Sequence, residues 1–196
     1  MGPGEGQNPS FHPQQYLFRR KLLKLFGGAF HVFDEQGNLL LYSELKAFRL
    51  RADFRVYADE RKIEELLKIT TPQILDFSST YNVQDGITGE NVGAIKRKGI
   101  KSIFKDEWVF LSNSGQEVGI MTEISILAAL LSRFINIIPQ TYVISAGNRK
   151  VAEIKQHFNP FILKYSMTIL EPKPLIDKRL LVAAGILLVG IEQRQQ

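Results

Sequence analysis

The sequence predicts a mainly β fold, with short antiparallel strands wrapped around one buried C-terminal helix. Two observations predict it. The first is the last apolar block, Leu180 to Ile191 (LLVAAGILLVGI), entered through Asp177, Lys178 and Arg179 and followed by the polar tail Glu192 to Gln196. As a helix this block rises roughly 18 Å, whereas crossing a bilayer core takes about 20 apolar residues. It is apolar on every face, so protein must surround it. The second is the rhythm of the chain before it. Short alternating stretches, broken by Gly- and Asn-containing turns, read as a meandering antiparallel barrel or sandwich.

A chain of 196 residues fits one domain with a real core. Residues 1–15 (MGPGEGQNPSFHPQQ) are rich in Gly, Pro and Gln and are expected to form a disordered arm, leaving 16–196 as the domain. No basic segment leads into an apolar run at the start, so no secretory signal is expected. The protein is placed in the cytoplasm, with a peripheral position at a membrane left open. Cysteine is absent, which excludes disulfides, thiolate metal sites and a cysteine nucleophile. The net charge of +5 favours anionic partners, whether lipid headgroups or nucleic acid.

Taken in order, Tyr16 to Phe26 fits a strand or a short helix. Phe30 to Phe33 and Leu39 to Tyr42 form a hairpin about Gly37. Lys46 to Tyr57 alternates strictly. Phe48, Leu50, Ala52, Phe54 and Val56 share one face, and Arg49, Arg51, Asp53, Arg55 and Tyr57 share the other. Asp59 to Lys68 carries a helical pattern, with Asp59 as N-cap and Ile63, Leu66 and Leu67 on one side. Strands follow at Ile69 to Ile74, Phe77 to Val83, Val92 to Arg97, Ser102 to Phe104, Glu107 to Ser112 and Glu117 to Thr122. Ile124 to Ile138 breaks the pattern as a helix that Pro139 ends. Strands resume at Thr141 to Ser145, Val151 to Gln156 and Phe161 to Thr168. Glu171-Pro172-Lys173-Pro174 then forms a stiff link into the final helix, expected over about 177–194.

Little of this pattern suggests catalysis. His12, His31 and His157 are scattered and no metal-binding spacing appears, so no metal, cofactor or enzymatic activity is expected. Gly86 to Gly93 (GITGENVG) lacks the Lys-Ser/Thr of a phosphate loop and reads as a hairpin turn. Asp85 and Glu90 have the chemistry to hold a cation, though such residues in turns ordinarily serve local hydrogen bonding.

Two surfaces remain as candidates. Arg49, Arg51 and Arg55 on one strand face, with Lys96, Lys98 and Lys101 across a later hairpin, form a candidate site for an anionic ligand. The competing explanation is that outward Lys and Arg keep strand edges from aggregating. The helix over 124–138 has one apolar face for the barrel and a second one, Ile126, Leu130 and Ile137 with Arg133 amid it. That second face suits a protein partner, a homodimer contact or a membrane interface. Burial beneath Tyr16 to Phe26 is the alternative.

Three stretches resemble a known family. They are TYNVQDGITGENVGAIKRKGIKSIFKDEW, HFNPFILKYSM and DKRLLVAAGILLVGIEQRQ, and they include the Trp-bearing strand around Trp108 and the charged entry to the final helix. In order and spacing, the chain resembles the tubby-like superfamily, and within it the LURP-one-related and phospholipid scramblase-like group, over roughly residues 16–194. The resemblance implies a closed antiparallel barrel of about twelve strands around the C-terminal helix. It also implies a non-enzymatic module that associates with anionic phospholipid headgroups. The calcium loop proposed for animal scramblases has no counterpart here, because Glu171 to Asp177 (EPKPLID) lacks alternating Asp/Asn ligands and a central Gly. A soluble interaction or regulatory module, with nucleic acid left open as a partner, is the second reading.

Overall fold

The computed structural model describes residues 8–21, 28–45, 53–71, 80–98, 107–124, 139–159 and 161–191. A 3-10 turn, Pro9–Phe11, leads into β1 (Gln15–Lys21), β2 (Gly28–Phe33), β3 (Leu39–Leu45) and β4 (Asp53–Tyr57). The chain continues through β5 (Glu65–Thr70), β6 (Thr80–Asp85), β7 (Asn91–Lys98) and β8 (Glu107–Ser112). Then come β9 (Glu117–Glu123), β10 (Thr141–Ala146), β11 (Arg149–His157), β12 (Ile162–Ile169) and the helix α1 (Lys178–Ile191). Each strand pairs antiparallel with its sequence neighbours, and β1 pairs with β12, closing a barrel.

Alternation decides which side chains face inward. In β12, Leu163, Tyr165, Met167 and Ile169 are buried, while Ile162, Lys164, Ser166 and Thr168 lie between them on the outer face. A barrel of this many strands encloses more space than side chains alone fill. The helix fills it. Residues from Leu180 to Val189 are buried, and they share one apolar cluster with the inward residues of the strands. Asp177 starts the helix: its carbonyl accepts from the Leu180 and Leu181 N–H groups, and its carboxylate accepts from the Arg179 N–H at 2.8 Å. At the other end Arg20 donates to the carbonyl of Val189 at 3.0 Å, meeting one of the last unpaired helix carbonyls. No helix among the described residues is long and apolar enough to cross a membrane.

The meander gives the barrel two unlike rims. At one, the helix begins, and the turns after β2, β4, β6, β8 and β10 are short. At the other, the helix ends, and the chain leaves β1, β3, β5, β7, β9 and β11.

Two expectations need correction. The helix expected over Asp59–Lys68 is a turn followed by β5. Asp59 accepts from the Arg61 N–H at 2.9 Å, Ala58 donates to the Glu64 carbonyl, and Lys62 takes a positive φ of 59°. The register shifts between Val56 and Tyr57, so Leu66 is the extra residue of a bulge and both Leu66 and Leu67 are buried. Two consecutive inward leucines, with Ile63 three residues earlier, imitate the helical period. The ordered domain also begins before residue 16, because Phe11 is buried in the core beside the helix entrance. Beyond this, β1 resolves the choice left open at Tyr16 in favour of a strand.

Candidate anion-binding surface

Barrel closure places β1 between β12 and β2, two strands far from each other in sequence. Tyr16 and Phe18 point inward and are buried; Arg19 points out and is exposed. Arg19 stands opposite Lys164 of β12 and His31 of β2, and Lys164 stands opposite His157 of β11. Four adjacent strands thus carry a basic side chain in one transverse row. Among the described residues neither Arg19 nor Lys164 has a carboxylate partner. Like charges directly opposite one another destabilise a sheet, a cost that a bound anion would relieve.

Aromatic rings support the row. The Arg19 guanidinium lies 5.6 Å from the centre of the Phe33 ring, a cation–π contact. The His31 ring stacks on Phe33 at 6.0 Å and tilts against Tyr42 at 5.2 Å. Its Nε2 is 2.7 Å from Glu60 Oε1, on the turn between β4 and β5. Below it the Tyr42 hydroxyl donates to Glu44, and burial together with that carboxylate pushes its pKa up to about 12. His157 Nε2 lies 2.8 Å from the Ser166 hydroxyl. Burial, then Lys164 and Lys155, hold the His157 pKa below the ordinary histidine value, so the ring is neutral near pH 7.

A cavity of about 410 Å³ opens along this face. Arg19, Arg20 and His31 supply its polar lining, Phe33, Leu39 and Ile162 supply apolar walls, and Glu60 sits at one side. A concave site with apolar walls and a few convergent cations suits a phosphate- or carboxylate-bearing ligand that also carries apolar surface.

Of the basic residues singled out in the sequence, only Arg55, Lys96 and Lys98 are among the described residues. Arg49, Arg51 and Lys101 lie outside the described residues. Arg55 is ion-paired to Asp53 at 2.8 Å and to Glu65 at 3.1 Å. Lys98 is ion-paired to Glu107. Lys96 is exposed, but β7 lies six strands from β1 in either direction, on the far side of the barrel from Arg19. Between the two lysines, Arg97 turns inward, is 5% exposed and stacks 5.3 Å from the Trp108 ring centre. The face formed by Ile126, Leu130, Arg133 and Ile137 lies outside the described residues.

Asp85 and Glu90 do hold a cation, and it belongs to the chain itself. Arg179 at the start of α1 donates to Asp85 at 2.9 Å, to Glu90 at 3.1 Å and to Asp177 at 2.8 Å. Burial works against the charged guanidinium, but Asp177, Asp85 and Glu90 outweigh it and raise its pKa. These carboxylates are engaged by Arg179 and are not a vacant metal site. In the sequence Arg179 stood only as part of a charged preface, and nothing there joined it to a turn far upstream. Arg19 and Lys164 were equally hidden, since each is a single basic residue in an alternating stretch. The usable signal was the spacing of Arg19 from Tyr16 and Phe18, once a strand there is accepted.

A family model described as LURP-one-related matches residues 14–189. No curated protein and no solved structure matches the chain.

Proposed function

Because this chain belongs to the LURP-one-related family, a tubby-like barrel group, we propose that it is a non-enzymatic binding module for anionic lipid headgroups at a membrane surface. The observation that carries this reading is the Arg19–Lys164 row beside the cavity. Two adjacent cations without carboxylate partners among the described residues border a concave site walled by Phe33, Leu39 and Ile162. Arginine grips phosphate through paired N–H donors, and lysine adds a mobile point charge. Phe33 holds the Arg19 guanidinium from one side, so less side-chain freedom is lost when an anion binds. Basic residues near an anionic leaflet each contribute about 1 kcal/mol, and salt screens them within a Debye length. Lys96, with Arg49, Arg51 and Lys101, belongs to the same proposal as a secondary contribution to surface charge.

The test is co-sedimentation of the purified chain with phosphatidylcholine vesicles, with and without phosphatidylserine, at low and high salt. Binding should require the anionic lipid and weaken with salt. Arg19→Glu combined with Lys164→Glu should weaken it by about several hundredfold, since reversing two charges changes the net charge near the surface by four units at about 1 kcal/mol each. Equal binding to both vesicle types, or to neither, would refute the reading.

A further inference from the structure

The turn between β11 and β12 carries two exposed aromatic side chains, Phe158 at 58% and Phe161 at 61%. Large apolar groups on a hairpin tip need a reason, and local structure does not supply one. Asn159 holds the turn: its side-chain oxygen accepts from the N–H groups of Phe161 and Ile162 at 2.9 and 3.0 Å. Neither phenyl ring belongs to the buried core cluster.

The surroundings of the tip are cationic. Lys164 leaves it on β12 and Arg19 stands beside Lys164 on β1, while on β11 Lys155 is ion-paired to Glu153 and His157 carries a lowered pKa. Ile124, half exposed at the end of β9, lies at the same rim. Among the described residues, the other exposed aliphatics Ile63, Ile87, Leu170 and Leu175 sit at the opposite rim. Ile63 follows Arg61 and Lys62 and precedes Glu64, Ile87 lies between Asp85 and Glu90, Leu170 precedes Glu171, and Leu175 lies between Lys173 and Asp177. Those settings mix both signs of charge, whereas the aromatic tip stands beside Lys164 and Arg19, which an anionic surface attracts.

We infer that the β11–β12 tip is a membrane-insertion element, with Phe158 and Phe161 entering the headgroup–acyl boundary of an anionic bilayer. Lys164 and Arg19 form the collar that meets the headgroups. Phenylalanine on one side and basic residues on the other is the division that interfacial segments use. The inference rests on the lipid-binding reading above and adds an orientation to it. The rim where α1 ends faces the bilayer. Ile162, the first residue of β12 after the tip, lines the cavity at its tip-side end, and Phe33, Leu39 and Glu60 line it toward the opposite rim.

The experiment uses the full chain and the same two vesicle types. Phe158→Ser/Phe161→Ser should keep the wild-type melting temperature, because both rings are exposed. It should lose affinity for phosphatidylserine-containing vesicles by about tenfold or more. Ile63→Ser, at the opposite rim, should bind as wild type. In a separate variant, Phe161→Trp emission should be quenched by brominated acyl chains in vesicles, while buried Trp108 in the wild type is not. If the wild type binds anionic vesicles and the double Ser variant binds within about threefold of it, the tip inference is overturned and the lipid-binding reading stands. If the wild type binds neither vesicle, both fall.

Discussion

Gly185 lies in the middle of α1, where glycine costs about 1 kcal/mol relative to alanine in helix propensity. Its reason is contact. A Cβ placed there would lie 2.4–2.8 Å from three atoms of the Phe18 ring, which is fully buried on β1. The helix and the closing strand approach too closely for a methyl group. Gly185→Ala should therefore destabilise the protein despite the better propensity. Overpacking of about 3 kcal/mol less about 1 kcal/mol of propensity leaves a net loss of about 2 kcal/mol. Denaturant titration measures it. Adding Phe18→Leu should recover part of the loss, so the two substitutions will not be additive. An additive pair would mean that the ring is not what the methyl group meets.

At the scale of elements, the Arg179 network joins the start of α1 to the β6–β7 turn. Asp85 accepts from the Ile87 and Thr88 N–H groups as well as from Arg179. Burial opposes its charge, yet these donors hold its pKa below the ordinary aspartate value. The sign follows directly. A carboxylate with a depressed folded-state pKa contributes stability that is complete above its unfolded value, about pH 3.9, and is lost as pH falls toward the folded value. Arg179→Met leaves Asp85 and Asp177 without their cation in a nearly buried setting and should cost about 3–5 kcal/mol at pH 7. The variant's melting temperature should also fall less steeply than the wild type's below about pH 4, because the Asp85 pKa is no longer held down by Arg179. Parallel melting curves against pH would show that Asp85 is stabilised mainly by its own turn.

At the scale of the whole molecule, α1 is the core of the barrel and not a membrane anchor. Leu187 is 1% exposed. Leu187→Asp would bury an unpaired carboxylate, a cost of several kcal/mol in a fold whose total stability is of order 5–15 kcal/mol. Loss of cooperative melting and of soluble protein is expected. A folded, soluble Leu187→Asp variant that had merely lost membrane association would contradict the buried assignment. The same closure that buries α1 also builds the candidate site. Without the β1–β12 pairing, Arg19 and Lys164 do not meet.

The sequence by itself determined the fold class, because periodicity and length are local properties. The twelve apolar letters of Leu180 to Ile191 required a surrounding protein, and the alternation in stretches such as Phe161 to Thr168 required strands. Where local pattern had two physical causes it misled, as at Leu66 and Leu67, where a bulge produces the spacing of a helix. Which cations gather depended on the tertiary structure. Arg19, Lys164 and His157 are brought into one row by pairings between distant strands, while Lys96 of the more conspicuous basic run lies across the barrel. The partner of Asp85 and Glu90 was likewise decided only when the helix entered the barrel and carried Arg179 to them. Charge pairing depends on distance in space, and strand register and closure set that distance.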